Sequence, residues 1–409
     1  MTRCVVRTWG LRRLQISDVR LLIDRRLLIV VLAVAVLGSC SSNAGRSDTV
    51  TIGFTGPLSG GAALYGRNVL DGLEMAIADI NAAGGIRIGD RHVTVAVSPL
   101  DDRYFPNESA TNAKRLVHQY GAPVVFCPHS GGILAIQGFN SSSPPFIVGA
   151  YSSEPQIVES GNPLTLMIPP KYTIYFDAFA DTMIQRHGKR LGRIPGAHAY
   201  AKEWTKGFSE VWTSKGGTLL TNNEIDYNTT TDFSSVASKA LSERPDVLFV
   251  GGPSQATALV IKAAREQGFK GGFVVMDQAK FEEMNQLVPM DMLENSVGVM
   301  PMVHHPDFRA AKFVEKYRQK KGADRDPPRE VSLTYGAMRI LARAMELAGT
   351  TTDAKAIHAK ADEAAATLPD EFKPSELLGV EANGHLKQVT VAAHVVGGKF
   401  LPLRLAQVD

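Results

Sequence analysis

The chain has 409 residues, with 44 lysines and arginines against 41 aspartates and glutamates, a formal net charge of +3, and three cysteines. Seven arginines and only two acids fall in residues 1–39; without them 37 basic residues face 39 acidic ones, a net charge of −2. The basic surplus belongs to the N-terminal segment and so argues for no nucleic-acid partner, and three cysteines are too few for a disulfide-stapled scaffold.

Residues 27–37 form an unbroken apolar run preceded by Arg25 and Arg26 and followed by Gly38, Ser39 and Cys40. A charged start, a short apolar centre and small residues at the end mark a secretory signal, since a spanning helix needs about 20 apolar residues. Leu37-Gly38-Ser39-Cys40 resembles the lipobox at which bacterial lipoproteins are cut, and the polar stretch 41–47 suits a tether. Residues 1–39 are therefore expected to be a signal peptide and 40–47 a tether lipidated at Cys40. The protein would then be exported and held in the periplasm or on the outer cell surface, touching the membrane through lipid alone. Residues 1–26 are long for a leader start, which is compatible with a start codon downstream of Met1. Cys127 is left without a partner cysteine. What remains exceeds the about 250–300 residues that one core supports, which predicts two lobes.

From Thr49 onward, short apolar runs alternate with helical patterns. Strands are predicted at 49–54, 93–98, 124–127 and 146–149, with helices at 65–83 and 107–120 between them. A second series follows. It has helices at 174–187, 203–215, 233–241 and 254–267, and strands at 218–225, 246–250, 273–276 and 296–300. Helices at 308–321, 331–348 and 352–364 come next. Strands at 386–396 and 399–403 turn at Gly397-Gly398. The alternation predicts an α/β fold with two doubly wound parallel-sheet lobes. Extended stretches at 165–170 and 299–303 read as crossovers between them. Residues 48–167 and 301–390 would form one lobe, and 168–300 and 391–409 the other. Closure about a hinge is a natural motion of that architecture.

Three blocks now carry a pattern. They are the run from Thr51 to Gly60, the Tyr65-Gly66 pair, and the run from Asp71 to Ile86 that ends in Asn-Ala-Ala-Gly-Gly-Ile. Further matches lie at Asp226-Tyr227, Asp232-Phe233-Ser234, Arg244-Pro245-Asp246-Val247, Leu333-Thr334-Tyr335-Gly336 and Gly384-His385-Leu386. In this order the sequence resembles the leucine/isoleucine/valine-binding protein family, the periplasmic receptors of ABC importers. The resemblance implies a type I periplasmic-binding fold that holds its ligand in the interlobe cleft. One lobe would take the ligand's carboxylate and the other would close over it.

Ser130-Gly131-Gly132 follows the strand at 124–127 and opens a helix. A hydroxyl with successive backbone N–H groups at a helix start makes an anion site, though a serine there also serves as a plain cap. The resemblance assigns Ser130 and Gly131 to a carboxylate. The Gly149–Ser153 stretch ends the next strand, where open α/β sheets bind ligands. Ala150 matches the family there, but the following residues diverge, leaving Ser152 or Tyr151 as the polar contact. Tyr65 corresponds to an aromatic pocket wall. Trp204 falls where the family carries a second-lobe tyrosine, although a core role fits it nearly as well. Asp277 lies near the position of an acid that takes a ligand ammonium, with Gln278 as the neighbour one register step away. Ser254 or Gln255 would add polar contacts in place of the family's tyrosines. The positions of a disulfide found in some members correspond here to Tyr104 and His129.

Metal ligands at workable spacing are not evident, no cofactor is called for, and no Gly-x-Ser-x-Gly elbow or catalytic carboxylate pair favours an enzyme. The leading function is a monomeric receptor delivering a small carboxylated solute, an amino acid or related organic acid, to ABC permease subunits. A ligand-sensing receptor of the same fold, signalling amides or organic acids to a partner, is the alternative.

Overall fold

The structure, a computed structural model, describes residues 48–405 apart from Asn228; the leader, Cys40 and the tether lie outside the described residues. Strand β1 (Thr49–Gly56) is buried along most of its length and pairs in parallel with β3 (Arg91–Asp101) on one side and β4 (Val124–Cys127) on the other. With β2 (Ile86–Ile88), β5 (Ile147–Ala150) and β6 (Thr165–Met167) they form a six-stranded sheet in the order β2-β3-β1-β4-β5-β6. Helix α1 (Ala63–Ala82) lays Val69, Leu73, Ala76, Ile77 and Ile80 into the core of this sheet, the 3.6-residue stripe that the sequence displays. Helices α2 (Pro106–Tyr120), α3 (Ser130–Gln137) and α4 (Gln156–Glu159) complete the first pass.

The chain then builds a second sheet. Helix α5 (Phe176–His187), β7 (Arg190–Pro195), α6 (Ala199–Ser214), β8 (Thr218–Asn222), α7 (Phe233–Ser242) and β9 (Val247–Gly251) come first. They are followed by α8 (Ser254–Glu266), β10 (Gly272–Val275), α9 (Phe281–Met284) and β11 (Ser296–Val299). It returns to the first core through α10 (Phe308–Lys321), α11 (Arg329–Ala348), α12 (Ala354–His358), α13 (Ala361–Thr367) and the hairpin of β12 (Leu377–Val380) with β13 (Leu386–Gln388). Strands β14 (Ala392–Val396) and β15 (Lys399–Leu403) close the second sheet, ordered β15-β14-β11-β10-β9-β7-β8.

Close helix packing explains one sequence motif. A Cβ on Gly72 would lie 2.4 Å from the Val331 carbonyl oxygen, so this glycine lets α1 and α11 touch backbone to backbone. At Gly66 the same atom would sit 1.8 Å from the Pro57 carbonyl oxygen, which sets the α1 start against the loop after β1.

Several expectations need correction. Strand β7 was not foreseen, and the extended stretch at 165–170 begins as strand β6. The long strand expected at 386–396 is two strands in different sheets, because the chain leaves the first lobe between them. The helix at 352–364 is two short helices, α12 and α13. The second sheet is also mixed: β14 runs antiparallel to β11, and β15 to β14. An antiparallel edge on a parallel sheet is common in folds of this class. Among the described residues no helix is long and apolar enough to cross a membrane.

Candidate functional site

The strand ends of the two sheets face one another across a cleft with about 480 Å³ of space not filled by atoms. Its first-lobe wall begins at the start of α3. Ser130 lines the cleft there, directly after β4. The helix cap is His129, whose Nδ1 accepts the Gly132 N–H at 3.1 Å. The ring proton therefore sits on Nε2, which faces Asp102 Oδ2 at 3.1 Å and Ser109 Oγ at 3.0 Å. Asp102 is fully buried and also accepts from Ser109 at 2.7 Å and from the Tyr104 N–H at 3.0 Å. This network fixes the α3 N-terminus, so the groups that would meet an anion are held before it arrives. Tyr104 stacks on the His129 ring with centroids 4.6 Å apart. Thus the two positions matched to a disulfide elsewhere are joined here by a ring contact.

Asp102, Cys127 and His129 bring one ligand atom each within 4.8 Å of one another, a grouping that their spacing in the sequence did not suggest. Both imidazole nitrogens are already engaged, and burial pushes the Cys127 thiol well up. The donor set fits a structural hydrogen-bond network rather than a cation, whose ligands must be free and deprotonated.

Beyond β5, Tyr151, Ser152 and Ser153 enter the cleft, and the Tyr65 hydroxyl donates to the Tyr151 carbonyl at 3.3 Å. From the second lobe come Tyr200 on α6 and Asp277 and Gln278 after β10. Ser153 Oγ donates to Asp277 Oδ2 at 2.5 Å, and the Tyr200 hydroxyl donates to Asp277 Oδ1. Gln278 reaches the Tyr104 hydroxyl at 3.3 Å. Both members of the Asp277/Gln278 pair therefore face the cleft, and both reach across to the first lobe. Burial raises the hydroxyl pKa of Tyr65, Tyr151 and Tyr200, so all three remain protonated donors.

At the cleft wall formed by α11, Lys280 pairs with Glu330 at 2.6 Å, again lobe to lobe. Burial lifts the Glu330 carboxyl to about 7 despite this cation. Arg329 also lines the cleft; its Nη2 donates to Gln388 Oε1 at 3.3 Å, while Nε and Nη1 have no hydrogen-bond partner.

Of the residues singled out in the sequence, the structure brings Tyr65, Ser130, Tyr151, Ser152, Asp277 and Gln278 together at the cleft. Four are elsewhere. Trp204 is fully buried in the second-lobe core, packed on Phe249 with centroids 5.0 Å apart and on Phe176 at 4.7 Å. Tyr200, one helical turn earlier, takes the cleft position instead. Ser254 is buried behind the wall, donating to Glu283 and accepting the Lys280 N–H at 3.0 Å, and its alternative Gln255 is exposed. Gly131 and Ala150, singled out for their backbone groups, are not among the residues lining the cleft: Gly131 packs towards Pro106, and the Ala150 carbonyl accepts the Ile168 N–H at 2.9 Å. Sequence reasoning missed Tyr175, Tyr200, Lys280, Arg329 and Glu330. For the last two the sequence offered only an Arg-Glu pair directly after Pro327-Pro328, and their burial was not legible.

Two α/β lobes closing on a buried polar cleft define a ligand-binding clamshell. Comparison with known proteins agrees: the family model described as "Periplasmic binding protein" matches residues 49–399. The Leu/Ile/Val-binding protein BraC3 of Rhizobium johnstonii is 23% identical over 313 residues, covering 75% of this chain and 82% of that protein. The leucine-binding protein LivK of Thermotoga maritima superposes with a TM-score of 0.72 at 22% identity, covering 87% of this chain and 98% of its own. A solute-binding protein of an ABC transporter from Rhodopseudomonas palustris, solved with benzoate, gives 0.73 at 18% identity, covering 87% and 96%. The chain belongs to the periplasmic binding protein family.

Proposed function

We propose that this protein is the solute receptor of an ABC importer and captures a small carboxylated solute, an amino acid or related organic acid, by closing its lobes. The observation that carries this reading is the meeting of Ser130, at a pre-set helix N-terminus on one lobe, with Asp277 on the other. The first suits a carboxylate and the second an ammonium, so a solute carrying both groups would bridge the two lobes. Relatives support it from both directions: LivJ of Streptococcus pneumoniae is solved with isoleucine, and the Rhodopseudomonas palustris protein with benzoate, an acid lacking an amine. Anchoring through Cys40 would keep such a receptor beside its permease.

A thermal-shift screen of amino acids and organic acids should find solutes that raise the melting temperature in a concentration-dependent way. A hydrogen bond to a charged group contributes about 1.5–3 kcal/mol, so Ser130→Ala should weaken the best hit roughly ten- to hundredfold. Equal affinity in wild type and Ser130→Ala, by calorimetry, would remove the carboxylate assignment.

A further inference from the structure

Arg329 has no carboxylate partner in the closed cleft, and its setting says what is missing. The residue is 3% exposed and lines the cavity, yet Nε and Nη1 meet no acceptor. Among the described residues its one hydrogen bond goes to a neutral amide oxygen, that of Gln388. The adjacent Glu330 turns away to Lys280, at 2.6 Å, and no ion pair among the described residues involves Arg329. A buried charge left uncompensated is strongly unfavourable, and guanidinium cannot escape by losing its proton.

The other charges of the cleft are accounted for. Lys280 Nζ lies 2.6 Å from Glu330, and the two oxygens of Asp277 accept from Ser153 and Tyr200. A zwitterionic amino acid with an apolar side chain would place its carboxylate at Ser130 and its ammonium at Asp277, leaving the guanidinium bare. A second acidic group on the ligand would instead meet Arg329 in a charge-assisted pair. Tyr151 and Tyr175 share this part of the cleft and feel the Arg329 charge, and burial keeps both hydroxyls protonated as further donors.

We propose that Arg329 binds a second anionic group of the solute, so that the preferred ligand is a small dicarboxylate: an acidic amino acid or a dicarboxylic acid of similar length. This rests on the receptor reading above and specifies its substrate class. The apolar branched side chain that occupies relatives' sites would be a poor fit here, since it desolvates the guanidinium without pairing it.

The test is calorimetric titration of the purified full chain with matched solutes: L-glutamate against L-glutamine, L-aspartate against L-asparagine, glutarate against butyrate, and L-leucine. In the wild type the best diacid should bind at least tenfold more tightly than its neutral or monoacid counterpart. Arg329→Gln should lose diacid affinity at least thirtyfold while changing amide or monoacid affinity less than threefold; Arg329→Lys should recover part of the loss. Ser130→Ala should weaken both members of each pair alike. Leucine or glutamine binding the wild type as tightly as the diacids, or an unchanged diacid-to-amide ratio in Arg329→Gln, would overturn the proposal. Should Arg329→Gln fail to fold, the wild-type ratios decide alone. If no carboxylated solute binds at all, the receptor reading itself fails; if monoacids bind and a second acid brings no gain, only the Arg329 inference falls.

Discussion

Tyr200 and Trp204 sit one turn apart on α6, and the structure gives them different work. The indole joins Phe176, Phe208 and Phe249 in the second-lobe core, while the phenol one turn nearer the helix start reaches Asp277. Truncating a fully buried aromatic removes its transfer free energy and leaves a cavity, about 3–5 kcal/mol in all. Trp204→Ala should therefore lower unfolding free energy by about that amount in denaturant titrations while leaving the affinity of the folded fraction unchanged. A large affinity loss with little destabilisation would return Trp204 to the cleft. The same residues show how far a sequence can speak about a site. Ser130 stood out because it opens a helix after a strand, at a place where open α/β sheets bind ligands, whereas Tyr65 and Asp277 stood out through the family resemblance. Tyr200 was not, because a four-residue displacement on a helix keeps the same face and so leaves periodicity undisturbed. Arg329 was hidden for another reason: that a guanidinium is buried and unpaired is a fact of packing, invisible to composition.

At the scale of elements, the lobes are held shut by contacts between α1 and α9 and between α11 and the loop after β10. Asn68 Nδ2 on α1 donates to Glu283 Oε1 on α9 at 2.6 Å, and the other Glu283 oxygen accepts from Ser254. The bond at Asn68 joins one lobe to the other. Removing it should shift the unliganded equilibrium towards open lobes without touching the ligand. Asn68→Ala should thus increase the radius of gyration of the unliganded protein in solution scattering and reduce solute affinity several-fold. The liganded protein should scatter like the wild type. An unchanged unliganded profile together with unchanged affinity would show that this bond does not set the balance. Most helices and central strands were legible from period alone, because their buried faces are long and regular. Strand β7 escaped because two arginines interrupt its apolar residues: Arg190 reaches the Arg244 carbonyl and Arg193 the Leu220 carbonyl of β8, while Leu191, Gly192, Ile194 and Pro195 are buried. The division of residues 386–396 escaped because hydropathy is blind to a change of sheet.

For the molecule as a whole, buried ionisable groups set an unusual dependence of stability on pH. Burial lifts Glu154 and Glu330 to about 7 and Glu282 to about 8, from an ordinary 4.5. Both Glu282 oxygens lack partners, which fits a carboxyl kept protonated. In the opposite sense, burial lowers His198, His305 and His394 to about 4 from 6.5. His305 is only 8% exposed. Stability falls with rising pH wherever the folded state holds more protons than the unfolded chain, and rises where it holds fewer. Between about 4.5 and 6.5 the folded state keeps protons on three glutamates and lacks them on these histidines, with His187 and His385 lowered in the same sense, so the two effects oppose each other and stability should change little. From about 6.5 to 8 the histidines are neutral in both states, and only the glutamates count. The unfolded chain has released their protons and the folded state must follow, so stability should decline across this window. Below about 4 it should decline again, because Asp79, Asp101 and Asp307 have lowered pKa values, and their contribution disappears as they protonate. Melting temperatures measured from pH 4 to 8.5 should therefore show a plateau ending near 6.5 and a fall beyond it. Glu282→Gln, which keeps the shape and removes the titration, should flatten that fall and leave the protein more stable than wild type at pH 8. A wild-type melting temperature that holds steady or climbs from pH 6.5 to 8 would mean that these carboxyls meet water or a cation on folding, and that the buried cluster around Lys280 is more open than its geometry indicates.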